Sequence, residues 1–139
     1  KKLPSTIIIN LKETDLIAIA YINQKKYFVG KNGKFIEFKK IQTEEKLPII
    51  FGDFEINNFI FLKNLLSKNN MKLEKINKYF FHKNKRWDLF YENNILIQLP
   101  EKNIEKSLKI YNKFVSNNSI KPNSIIDLRI SNRIIFKNE

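Results

Sequence analysis

The alternation of apolar and polar residues is most regular between residues 86 and 100, where it predicts two antiparallel strands. A repeat of two residues places apolar side chains on one face of both strands: Trp87, Leu89 and Tyr91 in the first and Ile95, Ile97 and Leu99 in the second. Between them lies the pair Asn93-Asn94, which tolerates the positive φ angles of a two-residue type I′ turn. Pro100 ends the second strand because proline has no N–H for the ladder. We expect Trp87 to lie in the core, as large aromatic residues on a sheet face usually do.

The remaining strands follow from the same reasoning. Apolar or alternating runs predict strands at residues 6–12, 16–22, 25–29, 34–38, 73–82, 124–130 and 133–136, with a short extended segment at 47–52. Asn32-Gly33 predicts a hairpin between the strands at 25–29 and 34–38. Residues 41–46 are predicted to be a loop, and the last two strands are predicted to be joined or bent at Ser131-Asn132.

Two segments have the spacing of amphipathic helices. The first is predicted over residues 54–68, with Asp53 as its N-cap and Glu55 in its first turn. The second is predicted over residues 101–115, and its buried stripe comprises Ile104, Leu108, Tyr111 and Val115. With 139 residues the chain is predicted to be one α+β domain, in which two principal helices pack on one side of a mostly antiparallel, curved sheet.

The net charge of +12 suggests a nucleic-acid or anionic-surface binder. However, 23 of the 26 basic residues are lysine, they are scattered, and only Arg86, Arg129 and Arg133 offer the planar guanidinium that favours base and phosphate recognition. Specific nucleic-acid binding is therefore not expected, although a basic nucleic-acid or anionic-surface module remains the alternative interpretation. No apolar run is long enough to span a bilayer. Because the chain begins at Lys1, we interpret it as a fragment or a processed product, so an upstream membrane anchor could have been removed.

Groups that carry chemistry are sparse, so no catalytic residue, cofactor or metal site is predicted and we do not expect an enzyme. The chain has three glycines, no cysteine and the single histidine His82, which argues against a phosphate-binding loop and a His/Cys metal site. Asp127 and Arg129 lie two residues apart on a predicted strand and are expected to share a face and form a salt bridge.

The order of these segments resembles the periplasmic β domain of the FtsQ/DivIB family of bacterial cell-division proteins. The motifs that carry the resemblance are, in chain order, Leu3-Pro4-Ser5-Thr6-Ile7, Lys12-Glu13, Leu47-Pro48-Ile49-Ile50-Phe51-Gly52, Arg86-Trp87-Asp88-Leu89, Asn93-Asn94-Ile95, Leu99-Pro100-Glu101 and Ile126-Asp127-Leu128-Arg129. Each motif alone is weakly specific, but the ordered set spans almost the whole chain. The resemblance implies that residues 1–13 are the last strand of an upstream POTRA domain, otherwise absent, and that residues 14–139 are the β domain.

The resemblance also implies a function. Members of the family are non-enzymatic scaffolds of the divisome, held at the periplasmic face of the inner membrane by one N-terminal helix and located at the division septum. They bind FtsB and FtsL, and FtsB adds a strand to the edge near the C-terminus. Strand addition suits an unpaired edge, whose N–H and C=O groups a partner strand satisfies.

In this chain the implied partner-binding residues are those of the last strand and two arginines: Arg86, Arg129, Ile130, Asn132, Arg133, Ile134 and Phe136. The two arginines are expected to pair with acidic residues of the partner. Relatives often have Tyr after Asp-Leu-Arg, whereas this chain has Ile130, so an aromatic contact is expected to be lost or replaced.

Overall fold

The computed structural model describes residues 15–38, 46–130 and 132–138. In chain order its elements are β1 (Leu16–Ile22), β2 (Lys25–Gly30), β3 (Phe35–Glu37), β4 (Ile49–Phe51), α1 (Ile56–Lys68), β5 (Ile76–Phe81), β6 (Trp87–Tyr91), β7 (Ile95–Gln98), α2 (Ile104–Asn117), β8 (Ser124–Asp127) and β9 (Ile135–Asn138). The strand predicted at residues 6–12 and most of the loop predicted at 41–46 lie outside the described residues. No described helix is long and apolar enough to cross a membrane.

The nine strands form one sheet in the order β3-β2-β1-β4-β5-β6-β7-β8-β9. Most neighbours are antiparallel, whereas β1/β4, β4/β5 and β7/β8 are parallel. A parallel pair needs a crossover, which α1 supplies between β4 and β5 and α2 supplies between β7 and β8. These four strands run in one direction and both crossovers advance the same way across the sheet, so the right-handed rule places both helices on one side. The predicted α+β class, with a mostly antiparallel sheet and two helices, is confirmed.

The core lies between this inner side of the sheet and the helices. One row of it crosses the sheet through paired residues: Ala20, Ile50, Tyr79, Leu89, Ile97 and Ile126. Trp87 is 3% exposed, as predicted. Its indole ring lies within 6.2 Å, between centroids, of the rings of Phe54, Phe59, Tyr79 and Phe81. From α2, Leu108 and Tyr111 complete the same cluster, and Ile104 and Val115 pack at its margin.

Both helices begin later than predicted. Glu55, not Asp53, is the N-cap of α1, and it makes no side-chain cap hydrogen bond. The start is set by Phe54, which is 7% exposed and whose ring meets that of Phe59 edge-on at 6.2 Å. This is a hydrophobic staple between the residue before the cap and the fourth helical residue. Helix α2 starts at Ile104 instead of residue 101 because its N-cap, Asn103, is left-handed, with a φ of 60°.

Two predicted strand boundaries in the middle of the chain are also corrected. The predicted strand at 73–82 opens with a 3-10 turn, Leu73–Lys75, and only Ile76–Phe81 is extended. The hairpin between β6 and β7 has three residues, Glu92–Asn94, between the paired Tyr91 and Ile95, so the predicted two-residue turn is wrong. The predicted positive φ angles are present, 60° at Asn93 and 58° at Asn94.

The closing strands are shorter and shifted relative to their predictions. Strand β8 ends at Asp127 because the Asp127 carboxylate accepts the Arg129 backbone N–H at 2.9 Å, which diverts that group from the ladder. Strand β9 begins at Ile135 rather than at residue 133, since the Arg133 N–H donates to the Ile130 carbonyl in a turn where Asn132 has a φ of 59°. The predicted bend therefore falls where expected at Asn132, and Ser131 lies outside the described residues.

Candidate partner-binding site at the closing edge of the sheet

Strand β9 is the last strand of the sheet, and among the described residues it pairs only with β8. Its other side is a row of backbone N–H and C=O groups at the sheet edge. Such an edge is a template for strand pairing unless short length, charge or a covering segment prevents it. Four residues are short for an edge strand, and Lys137 places a charge on it, and both features limit indiscriminate pairing.

Alternate side chains of β9 point to opposite sides of the sheet. Phe136 pairs with the buried Ile126 and lies on the inner side, where its ring is 5.3 Å from that of Phe114 in α2. Ile135 and Lys137 lie on the other side, which we call the outer face. Phe136 is nevertheless 36% exposed, so part of its ring is open to solvent.

Arg86, just before β6, is held in place by two acceptors. Its Nη1 donates to Asp88 Oδ1 at 3.0 Å and to the Leu99 carbonyl at 2.9 Å. Asp88 Oδ2 is also 2.7 Å from Nε2 of His82. The side chains of Arg86 and Asp88 are only 12% and 9% exposed, so this pair is largely desolvated and each charge depends on the other.

Arg129, just after β8, is bound to Asp127 as the sequence predicted. Its Nε and Nη2 donate to the two carboxylate oxygens of Asp127 at 2.9 and 2.7 Å, a bidentate arrangement. These hydrogen bonds, with that from the backbone N–H of Arg129, hold the pKa of Asp127 below its usual value despite partial burial. The same carboxylate raises the pKa of Arg129. In contrast to Arg86, the Arg129 side chain is 46% exposed.

The two arginines belong to one cluster. Asp88 pairs with Gln98 across β6 and β7, and Gln98 pairs with Asp127 across β7 and β8, so the three side chains share one row of the outer face. The charge of Arg86 further lowers the pKa of Asp127, and that of Asp88 further raises the pKa of Arg129. We call these five side chains the Arg–Asp cluster: His82, Arg86, Asp88, Asp127 and Arg129.

The predicted partner-binding residues are placed as follows. Arg129, Ile130, Asn132, Arg133 and Ile134 fall in the connection between β8 and β9, and Phe136 falls in β9 itself. Ile130 is 47% exposed and Asn132 and Arg133 are exposed, whereas Ile134 is half-buried against the core. Arg86 lies just before β6 and is connected to Arg129 through the Arg–Asp cluster. The structure thus gathers these residues at one end of the sheet, and their role in binding stays a prediction.

Sequence reasoning missed the contribution of His82 and the pairing of Arg86 with Asp88. The second was accessible, because Arg86 and Asp88 are two residues apart beside a strand, the same spacing that predicted the Asp127–Arg129 pair. His82 gave no such signal, since its contact depends on the pairing of β5 with β6 that brings the two strand ends together.

No described group of three His, Cys, Asp or Glu side chains is placed to hold a metal ion. Shallow depressions are present, among them one of about 390 Å³ lined by Asp53, Glu55, His82 and Lys85. Another, of about 250 Å³, lies between the helices, with Trp87 and Ile104 in its wall. The cationic and acidic side chains around the first are mixed.

Comparison with known proteins gives the family of this chain. The family model for the C-terminal region of the cell-division protein FtsQ/DivIB matches residues 19–129, most of the chain. The chain belongs to the FtsQ/DivIB family. This match spans β1 to β8 and ends at Arg129 of the Arg–Asp cluster, so β9 lies beyond it.

Members of the family from several bacteria are similar in sequence. The cell-division protein FtsQ of Rickettsia bellii is 34% identical over 109 residues, which is 78% of this chain and 40% of that protein. FtsQ of Rickettsia typhi is 33% identical over 139 residues, covering 96% of this chain and 50% of its own length. The chain therefore spans about half the length of the curated relatives it matches. A solved extracytoplasmic domain of DivIB from Geobacillus stearothermophilus aligns with a TM-score of 0.46 at 13% identity, over 75% of this chain and 96% of that one.

Proposed function

We propose that this chain is the partner-binding part of a non-enzymatic division scaffold, which binds FtsB- and FtsL-type proteins by strand addition at β9. The full-length protein is proposed to be anchored in the inner membrane by one N-terminal helix outside this chain and to act at the periplasmic side of the division septum. Membership of the FtsQ/DivIB family supports the role in cell division. The observation that carries the binding mode is the side of β9 at the end of the sheet, with which no described strand pairs.

The charges around β9 favour an acidic partner segment. Arg133 and Lys137 are exposed there and have no ion pair with any described residue, and Arg129 keeps about half of its side chain open to solvent. A carboxylate on the added strand would meet Arg129 on the side that Asp127 leaves free. Pairing of backbone groups would supply affinity, while Phe136 and these cations would select the partner.

The direct test is calorimetric titration of this chain with the periplasmic segment of FtsB from the same organism. Consecutive residues of an antiparallel strand direct their N–H groups to opposite sides of the strand. Of the two variants Phe136→Pro and Lys137→Pro, one therefore loses a hydrogen bond to β8, and the other loses an N–H donor on the outer edge of β9. We expect the variant that keeps its thermal stability to lose binding. Phe136→Ala and Lys137→Ala are the matched controls for the loss of each side chain.

The opposite edge of the sheet provides a further control. Strand β3 is the other terminal strand, and Ile36→Pro perturbs it while leaving β9 unchanged. Folding of every variant can be followed by the fluorescence of Trp87, the only tryptophan in the chain. Wild-type affinity in both folded β9 proline variants would place the site elsewhere, and a loss of binding confined to Ile36→Pro would move it to β3.

A further inference from the structure

The outer face of the sheet is apolar over much of its width, although no described helix lies on it. Two helices cover the inner side, and the exposed face of such a sheet ordinarily alternates to polar side chains. Here the outer positions of β1, β4, β5 and β6 instead form what we call the aromatic patch: Ile19, Tyr21, Ile49, Phe51, Phe80 and Phe90. Phe80 is 38% exposed and the others are half-buried, mainly beside one another on neighbouring strands.

Three rings of the aromatic patch, those of Tyr21, Phe51 and Phe80, form a row across neighbouring strands, which we call the file. Tyr21 and Phe51 are stacked with centroids 5.2 Å apart and an interplanar angle of 21°, and Phe51 and Phe80 with 6.2 Å and 26°. The ends of the file are also closed, because Lys26 Nζ lies 5.4 Å from the Tyr21 centroid and the His82 ring lies 4.8 Å from that of Phe80. Tyr21, Phe51 and Phe80 therefore each have a neighbour on both sides along this file.

This geometry decides what can bind. Nucleobases stack on free aromatic faces, and the rings of Tyr21, Phe51 and Phe80 are already stacked on one another or on their neighbours. Ring edges carry the positive end of the aromatic quadrupole and therefore favour carboxylates and aliphatic groups. A bilayer surface would require side chains that protrude into the headgroup region, whereas these rings stack on one another.

The charges on this face select an acidic partner. Lys26 flanks the file, and Lys78 projects between Ile49 and Phe90, with which it is paired in register. The outer-face carboxylates of Asp88 and Asp127 are already bound to Arg86 and Arg129. A second copy of the chain, which carries the same net charge of +12, would bring lysines against lysines.

The dimensions suit a helix. The patch and the adjoining Leu96 of β7 extend over five strands, a width of about 19 Å at the usual strand spacing. A helix of about 13 residues has that length, and α1, with 13 residues, packs on the inner side of the same sheet. At one end of the patch lies a depression of about 550 Å³, with room for an anchoring side chain, whose charged lining residues are Lys46, Lys78 and Glu74.

We propose that the aromatic patch docks an amphipathic helix of another protein, whose apolar stripe is flanked by aspartate or glutamate. This surface lies on β1, β4, β5 and β6, away from the β9 edge, and the inference does not depend on strand addition. It predicts a second, separable binding site on the chain.

The test is selection from a displayed library of single helices with randomised surface positions, using this chain as the target. Clones are counter-selected on the Phe80→Ser and Lys78→Glu variants. We expect the recovered helices to carry an apolar stripe with an excess of acidic flanking residues. Their affinity should fall about tenfold or more with either substitution. Phe61→Ser is the matched control, since Phe61 is 64% exposed on α1, and it should leave binding unchanged.

Folding and lipid binding are checked in parallel. Lys78 is exposed, so Lys78→Glu tests the surface even if Phe80→Ser unfolds the domain. Vesicles of phosphatidylglycerol and phosphatidylcholine replace the library in a sedimentation assay. The proposal is overturned if no recovered helix distinguishes wild type from Lys78→Glu, if the recovered helices lack the acidic excess, or if the vesicles bind through these residues and the helices do not.

Discussion

The ring of Phe136 in β9 lies 5.3 Å from the ring of Phe114 in α2, with an interplanar angle of 47°. This contact joins the last strand of the sheet to the helix that crosses from β7 to β8. It holds β9 by side-chain packing as well as by its backbone bonds to β8. The edge proposed to receive a partner is therefore pre-positioned, which reduces the ordering cost of strand addition.

A double-mutant cycle on Phe114 and Phe136 measures this contact. Because Phe136 is 36% exposed, we expect a coupling of about 0.5 kcal/mol, at the lower end for aromatic pairs. The measurement is urea unfolding of Phe114→Leu, Phe136→Leu and the double variant, followed by the fluorescence of Trp87. As the control, the cycle is repeated with Phe61→Leu in place of Phe114→Leu. The effects of Phe61→Leu and Phe136→Leu on the free energy of unfolding should then be additive. Additive effects of Phe114→Leu and Phe136→Leu would contradict the proposed anchoring.

The two arginines of the Arg–Asp cluster should differ in their effect on stability. Arg86→Ala leaves the largely buried Asp88 without its cation, and we expect it to lower the free energy of unfolding by about 3 kcal/mol. Asp127 is as buried as Asp88, with 9% of its side chain exposed, but it keeps the hydrogen bond from the backbone N–H of Arg129, and the guanidinium that is lost is 46% exposed. We therefore expect Arg129→Ala to cost less, about 2 kcal/mol. Thermal or urea unfolding of both variants gives the comparison, and equal costs would contradict the role given to the burial of the two arginines.

The same two variants separate folding from binding. If Arg129 contacts a partner carboxylate, Arg129→Ala should lower the free energy of binding to FtsB by more than it lowers the free energy of unfolding. Arg86 already uses Nη1 for Asp88 and Leu99, so the residual effect of Arg86→Ala on binding should follow its loss of stability. A folded Arg86→Ala variant that loses all binding would instead identify Arg86 as a direct contact.

Local pattern was sufficient for the parts of the fold that local chemistry decides. The period of two around Trp87 predicted β6 and its buried face, and Asn93-Asn94 supplied the expected positive φ angles. Helix α1 was predicted to start too early because its start depends on Phe54 packing against Phe59 and Trp87, a tertiary effect. The parallel pairing of β1 with β4 joins segments far apart in the chain, and no local pattern encodes it.

The candidate site was predictable to a similar degree. The pairing of Asp127 with Arg129 follows from their spacing on one strand. The bounds of β9 do not follow from the spacing of residues, because the turn at Asn132 and the diversion of the Arg129 N–H depend on side-chain and backbone hydrogen bonds. The aromatic patch was hidden for another reason: its residues come from four strands, and only the register of the sheet brings them together.

Gly52, at the end of β4, is expected to be intolerant of any side chain. Its φ is +104°, and a Cβ there would overlap the backbone carbonyl of Phe81. Gly52→Ala should therefore lower the free energy of unfolding by about 3 kcal/mol or more, through both strain and overlap.

Gly33 is the matched control, since its φ is +86° but the nearest atoms to a Cβ are 3.8 Å away on Ile56. Gly33→Ala should cost only about 1 kcal/mol, from backbone strain alone. Equal destabilisation of the two variants in urea unfolding would contradict the overlap at Gly52.

The Asp127 carboxylate predicts part of the acid sensitivity of the domain. Its pKa is lowered from the ordinary 3.8, first by the hydrogen bonds from the Arg129 side chain. A group whose pKa is depressed by folding contributes stability above its unfolded pKa and loses it as the pH falls through the folded value. The difference in free energy of unfolding between wild type and Asp127→Asn should therefore be constant near neutral pH and shrink below about pH 4.

Urea unfolding at a series of pH values, from about pH 6 down to about pH 2.5, measures this difference. Arg129→Ala is the background that isolates its cause, because it removes the guanidinium that depresses the pKa of Asp127. In that background the effect of Asp127→Asn should lose most of its dependence on pH. If the difference between wild type and Asp127→Asn is the same across the whole series, the Asp127–Arg129 pair is not the source of acid sensitivity.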